Sequence, residues 1–99
     1  MPLGDALEAY TRKRPGEVLL VRVLLDGSSE EVLVFRGASS FLTRPTPADP
    51  GQPVIPAGAQ LLGVERQHAP FSPVNPQVIA TGLQGEALAT LLAEVGIDL

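Results

Sequence analysis

Two apolar runs joined by a short polar segment constrain the fold of this chain more than any other feature. They extend from Glu17 to Gly37 and read EVLLVRVLLDGSSEEVLVFRG. Apolar residues at alternate positions, with Gly and short hydroxyl side chains between the runs, are typical of two antiparallel strands and their turn. The stretch therefore predicts a β-hairpin at the centre of a sheet.

The register of this hairpin is open from the sequence alone. The odd-numbered residues of the first run form its better core face: Leu19, Val21, Val23 and Leu25. A three-residue loop would bring Leu33 and Phe35 to that face, whereas a loop of two or four residues would bring Val32 and Val34 there. Because both faces are largely apolar in either case, we expect a helix to cover part of the outer face.

Helical spacing marks both ends of the chain. Asp5 followed by Glu8 resembles a capping pair, and the apolar spacing predicts a short helix over residues 5–13 in an N-terminal arm. Residues 83–96 carry the clearest amphipathic pattern and end in Gly96, a typical residue after a helix. This C-terminal helix is expected to pack on one face of the sheet, and an exposed apolar stripe would instead favour dimerisation.

The sheet is predicted to occupy residues 17–67. Residues 38–43 suggest a third short strand, and residues 59–67 a further strand with Leu62 and Val64 on one face.

Prolines interrupt the second half of the chain. Eight of the ten prolines lie between Pro45 and Pro76. Since proline fixes φ and donates no hydrogen bond, residues 45–57 are predicted to form a long ordered loop. Asn75 and Pro76 predict a turn or a short helical segment through Ile79.

These patterns predict a single α+β domain over residues 1–99. We expect a curled antiparallel sheet of four or five strands, with the C-terminal helix packed on it and a short N-terminal helix. A small, partly open barrel of the SH3-like type is an alternative form of this sheet.

Composition narrows the class of protein. The chain has 99 residues, no cysteine and a formal net charge of −4. The lack of cysteine excludes disulfides and cysteine-ligated zinc and fits a cytoplasmic protein. No apolar run is long enough to span a bilayer. An acidic chain is also a poor general nucleic-acid binder.

No motif for catalysis or cofactor binding is present. The single histidine is His68, no Gly-x-Ser-x-Gly turn occurs, and no glycine-rich phosphate loop occurs. His68 has only Glu65 nearby, on the opposite face of a strand, so a metal site is not expected. We therefore expect a protein that is not an enzyme and binds no cofactor or metal.

Four arginines form the remaining candidate for binding: Arg22, Arg36, Arg44 and Arg66. With an odd-length hairpin loop, Arg22 and Arg36 would project from the same face as neighbours, and Arg66 would join them from another strand. Such a patch would bind an anion or dock a protein. The alternative, which we favour, is ordinary pairing with Glu17, Glu31 and Glu65 on a solvated surface.

Three segments resemble a known family. EVLLVRVLLDG, EEVLVFRGASSFLTRPT and VIPAGAQLLGVERQHAPFSPVNPQVI, in that order, are similar to a small domain of unknown function found in cyanobacteria and, as plastid-directed proteins, in plants. The similarity covers about Glu17 to Leu83 and rests on the pattern of strands and prolines. It implies a cyanobacterial cytoplasmic or thylakoid-associated setting. It implies no established activity, and it identifies no functional residues.

Two functions remain as hypotheses. The first is a non-catalytic accessory or protein-interaction module, linked to the photosynthetic or plastid-type machinery by the resemblance. The second is a weak RNA-binding or ribosome-associated domain that uses the arginines. The expected partner is another protein, and the expected state is a monomer or a weak homodimer.

Overall fold

The computed structural model describes residues 1–49 and 51–99 and contains two helices and five strands. In chain order they are α1 Leu3–Lys13, β1 Glu17–Leu25, β2 Ser28–Phe35, β3 Ala38–Phe41, β4 Gln60–His68, β5 Val78–Leu83 and α2 Gly85–Ala93. The strands form one antiparallel sheet in the order β3-β2-β1-β4-β5. The α+β prediction is confirmed, and the sheet is open rather than closed into a barrel.

The central hairpin closes with a two-residue turn. Leu25 pairs with Ser28, and between them Asp26 and Gly27 both have positive φ, 51° and 79°. An Asp-Gly pair in this conformation follows the right-handed twist of the two strands. The three-residue loop is therefore wrong, and the alternative register, in which Val32 lies opposite Val21, is the one adopted.

One buried cluster forms the core, and both helices contribute to it. Its members are Ala6, Leu7, Tyr10, Leu19, Val21, Val23, Val32, Val34, Ile55, Val64, Leu88, Leu91, Leu92 and Ile97. The strand residues in this group share one face of the sheet, so α1 and α2 pack on the same side. The expectation that a helix would cover the outer face is wrong for the described residues.

The ends of several elements differ from the sequence-based bounds. α1 begins at Leu3 behind Pro2, and no side chain caps it, so the predicted Asp5 cap is wrong. The segment from Asn75 through Ile79, predicted as a turn or a short helix, forms no helix: it bends at Asn75, and its last two residues begin strand β5. As a result, the predicted C-terminal helix over residues 83–96 is shorter, spanning Gly85–Ala93.

A bulge changes the faces of β4. The pairing of β1 with β4 shifts between Arg22 and Val23, and Leu61 rather than Leu62 then packs against the core together with Val64. The predicted sharing of one face by Leu62 and Val64 is therefore wrong, because an extra residue in a strand reverses the alternation beyond it.

The proline-rich segment crosses from β3 to β4 without helix or strand over its described residues, as predicted. Ile55 fixes it to the core with 7% of its surface exposed, and Val54 packs against the same cluster. Pro50 lies outside the described residues.

Both edges of the sheet are irregular or short. β3 has four residues, and the Phe41 N–H donates to the Thr46 hydroxyl of the following loop at 3.0 Å. β5 has six residues, and its pairing with β4 shifts twice within them. Neither helix of the described chain combines the length and apolar character needed to cross a membrane.

Candidate functional site

The four arginines singled out in the sequence lie on different surfaces. Arg22 projects from the face of β1 opposite the helices, with 58% of its side chain exposed, and lies 3.5 Å from Glu31. Arg66 pairs across the sheet with Leu19, a core residue, so it lies on the helix side. The two side chains are therefore separated by the sheet.

Arg36 and Arg44 lie outside the strands. Arg36 occupies the β2–β3 turn with a φ of 47°, and its guanidinium lies 5.0 Å from the centre of the Phe35 ring. Arg44 follows β3 and lies 3.2 Å from Glu30. Since the hairpin loop has two residues, Arg22 faces Glu31 rather than neighbouring Arg36, and the predicted convergence of Arg22, Arg36 and Arg66 is not observed.

Glu17 is the centre of a polar network beneath α1. Arg66 donates two hydrogen bonds to its carboxylate, at 2.9 and 2.8 Å, and the buried Tyr10 hydroxyl donates a third at 2.7 Å. Arg14 donates to the Tyr10 oxygen and to Glu94, both at 3.0 Å. The network connects α1, β1 and β4 with the C-terminal end of α2, so its role is structural.

The electrostatics of this network follow from burial and pairing. Burial by itself raises the pKa of Glu17, but hydrogen bonds from Arg66 and Tyr10 and the two guanidinium charges outweigh it, so the pKa of Glu17 is lowered. Burial, followed by the contact with Glu17, raises the pKa of Tyr10. The carboxylate is thus held ionised and the phenol is held neutral.

We expect this network to make stability depend on pH in the acid range. Because the pKa of Glu17 is lower in the folded chain than its ordinary 4.5, folding favours the ionised carboxylate, and its contribution is present above pH 4.5. The contribution is lost as pH falls through the folded-state pKa. Urea denaturation from neutral to strongly acidic pH measures this loss. Glu17→Gln should flatten the pH dependence, and an unchanged slope would contradict this role.

A second carboxylate is buried at the distal end of the hairpin. Glu30 is 6% exposed, and its Oε1 accepts a hydrogen bond from the Thr43 hydroxyl at 2.6 Å. That bond is the main reason why the pKa of Glu30 is lowered, and Arg44 adds to the effect. The same Thr43 oxygen accepts a bond from the Glu31 N–H at 3.0 Å, which fixes the chain after β3.

The face of the sheet that points away from both helices is the main candidate surface, and we call it the open face. It consists of Val18, Leu20, Arg22, Leu24, Glu31, Leu33, Phe35, Glu65 and Gln67. Within the described residues, its half-buried apolar side chains Leu20, Leu24, Leu33 and Phe35 neither belong to the core cluster nor pack against it. A surface of this kind on a small chain is typical of a protein-binding site.

Val18 and Gln67 occupy one end of the open face and are buried, at 1% and 2% exposure. Val18 pairs with Phe35 of β2 on one side and with Gln67 of β4 on the other. These two larger side chains flank the smaller Val18 side chain and shield it. Gln67 donates to Glu65 at 2.5 Å, while its own oxygen finds no donor among the described residues.

A groove of about 770 Å³ lies between α1 and the proline-rich segment. Prolines and aliphatic side chains dominate its lining, and its charged side chains are Asp5, Glu8 and Asp49. Glu8 is already engaged by the Ser39 hydroxyl at 2.7 Å. No cluster of three or more potential metal ligands occurs among the described residues.

Sequence reasoning missed the features that organise these sites. Glu17 is among the expected partners of the arginines, but on a solvated surface; nothing local indicates that it pairs with Arg66, 49 positions away, or that the pair is largely buried. The open face had a usable signal, since the even-numbered residues of β1 include Leu20 and Leu24, which a one-sided core leaves partly uncovered.

Comparison with known families gives one match. A family model described as a domain of unknown function, DUF7734, matches residues 4–92, which include all five strands and all but one terminal residue of each helix. Searches of the curated proteins and of the solved structures gave no significant match.

Proposed function

The chain belongs to the DUF7734 family of domains of unknown function, and from that premise we propose that it is a non-catalytic protein-interaction module that binds its partner through the open face. The observation that carries this proposal is the placement of both helices on one side of the sheet. Leu20, Leu33 and Phe35 are thereby left half-buried beside the charged side chains Arg22, Glu31 and Glu65. An apolar centre with a polar border is the usual anatomy of a protein interface.

The pairing of the arginines favours a protein partner over RNA. Arg22, Arg44 and Arg66 each lie within 3.5 Å of a carboxylate. A guanidinium held by a carboxylate gives little net attraction for a phosphate backbone, and RNA recognition also calls for exposed aromatic rings on which bases stack. Phe35 is the aromatic side chain of the open face, and Arg36 already lies over its ring.

The experiment is capture of partners from a lysate of the source organism on the tagged chain, with and without nuclease. We expect proteins that survive nuclease to be lost with Leu33→Arg, which places a charge at the centre of the open face. They should be retained with Val74→Arg, a matched change at a loop residue that is 94% exposed. Equal retention by both variants would refute the role of the open face, and loss on nuclease treatment would favour RNA.

The proposal extends to the setting implied by the sequence resemblance, a cyanobacterial or plastid-type compartment. The partner would then belong to the photosynthetic or plastid-type machinery. Identification of the captured proteins by mass spectrometry tests this part separately from the binding surface.

A further inference from the structure

We infer that the partner on the open face is a second copy of this chain, so that two sheets pack face to face about a twofold axis. This inference rests on the proposed function, because it names the occupant of the same surface. It is argued from the extent of the apolar surface, from its area and from its charge.

Exposed apolar side chains occur at the centre and at both edges of the open side of the sheet. Leu33 lies opposite Leu20 at its centre. Beyond these residues, Leu42 follows β3 with 46% exposure, and Val78 begins β5 with 47% exposure. Leu42 directly follows β3 and lies opposite Glu31, and Val78 pairs with Gln67. Because Glu31 and Gln67 are on the open face, Leu42 and Val78 lie on the same side of the sheet. Apolar side chains of this side therefore lie on β1, β2 and both edges, while β4 places Glu65 and Gln67 between β1 and β5.

The area of this surface is somewhat below what each partner buries in a standard dimer and is in the range of a weak dimer. β1 has nine residues, and the sheet has five strands. The other strands have eight, four, nine and six residues, so at about 3.3 Å per residue and about 4.8 Å per strand the face covers roughly 570 Å². A standard interface buries about 800 Å² on each partner. Two open sheets that stack at about 10 Å form the familiar sandwich arrangement.

The charge of the surface is balanced, unlike that of the whole chain. The chain carries a formal net charge of −4, whereas the open face and its border carry Arg22 and Arg36 against Glu31 and Glu65. Two identical faces repel each other when each has a net charge. The open face together with its border has no net charge, so two copies of it do not repel each other. In a twofold arrangement, each contact between Arg22 of one copy and a carboxylate of the other occurs twice.

Arg22 is free to exchange partners in this way. Its contact with Glu31 is long, at 3.5 Å, and the side chains are 58% and 35% exposed. A pair of this kind contributes little to the stability of the single chain. Its rearrangement on dimerisation therefore has little cost.

Sedimentation velocity of the purified full-length chain, from micromolar to millimolar concentration, tests the inference. We expect a monomer–dimer equilibrium in the wild type. Leu33→Arg should raise the dissociation constant by at least about 100-fold, since each dimer would enclose two unpaired guanidinium groups. Val74→Arg adds the same charge at an exposed loop position and should leave the constant unchanged. Circular dichroism confirms that each variant folds.

Two results would overturn the inference. A wild-type chain that stays monomeric at millimolar concentration excludes a second copy as the occupant. If Leu33→Arg then still abolishes capture of a lysate protein, the open face binds a different protein and the proposed function stands. A dimer that persists unchanged in Leu33→Arg uses another surface, and the inference fails.

Discussion

Glu17→Ala is expected to lower the free energy of unfolding by about 2–4 kcal/mol, because it leaves two buried donors without their acceptor. Arg66 loses both of its hydrogen bonds to the carboxylate, and the Tyr10 hydroxyl loses its own. The side chains of Arg66 and Glu17 are only 18% and 13% exposed, so water replaces the lost partner poorly. Urea denaturation at neutral pH measures the change.

The matched control for this variant is Glu31→Ala. Glu31 also pairs with an arginine, but at 3.5 Å and with a more exposed side chain. We expect a loss of less than about 1 kcal/mol there, as for other surface ion pairs. Equal losses at the two positions would mean that the network beneath α1 adds nothing beyond an ordinary surface contact.

Leu92→Ala is expected to cost about 3–4 kcal/mol, within the range for large-to-small changes in a packed core. Leu92 has 0% exposure and lies in the same cluster as residues of α1 and the central strands. Because the two helices share that cluster, the whole chain should unfold in one transition. Far-ultraviolet circular dichroism and Tyr10 fluorescence should report the same midpoint.

Leu99→Ala provides the control for this second change, since it removes the same atoms from a side chain that is 54% exposed. Its effect should stay below about 0.5 kcal/mol. A Leu92→Ala protein as stable as the control would show that α2 is detached from the sheet in solution.

The sequence was sufficient for the elements whose pattern is local. The hairpin, the short third strand and both helices follow from alternation and helical spacing over a few residues. The hairpin register was also within reach, because Asp26-Gly27 is among the strongest signals for a two-residue turn. The hydroxyl residues after Gly27 hide this signal because they also suit a loop, whereas in the structure they belong to β2.

The missed features depend on contacts between distant residues. β5 follows a proline-rich turn and has two irregularities in its pairing, so its apolar residues do not alternate regularly. The bulge at β4 reverses the alternation near Leu62, which no composition rule locates. The predicted convergence of the arginines is wrong for a related reason. The pairing of the strands places Arg22 and Arg66 on opposite faces of the sheet.

The short or irregular edge strands of the sheet bear on aggregation of the folded protein at high concentration. Fibril growth needs a straight strand whose outward N–H and C=O groups accept another chain. β5 is distorted twice within six residues, while β3 offers four residues and has one outward N–H engaged by Thr46. Although 44% of the residues are hydrophobic, the two sheet edges among the described residues therefore offer a poor template for edge-to-edge growth of fibrils.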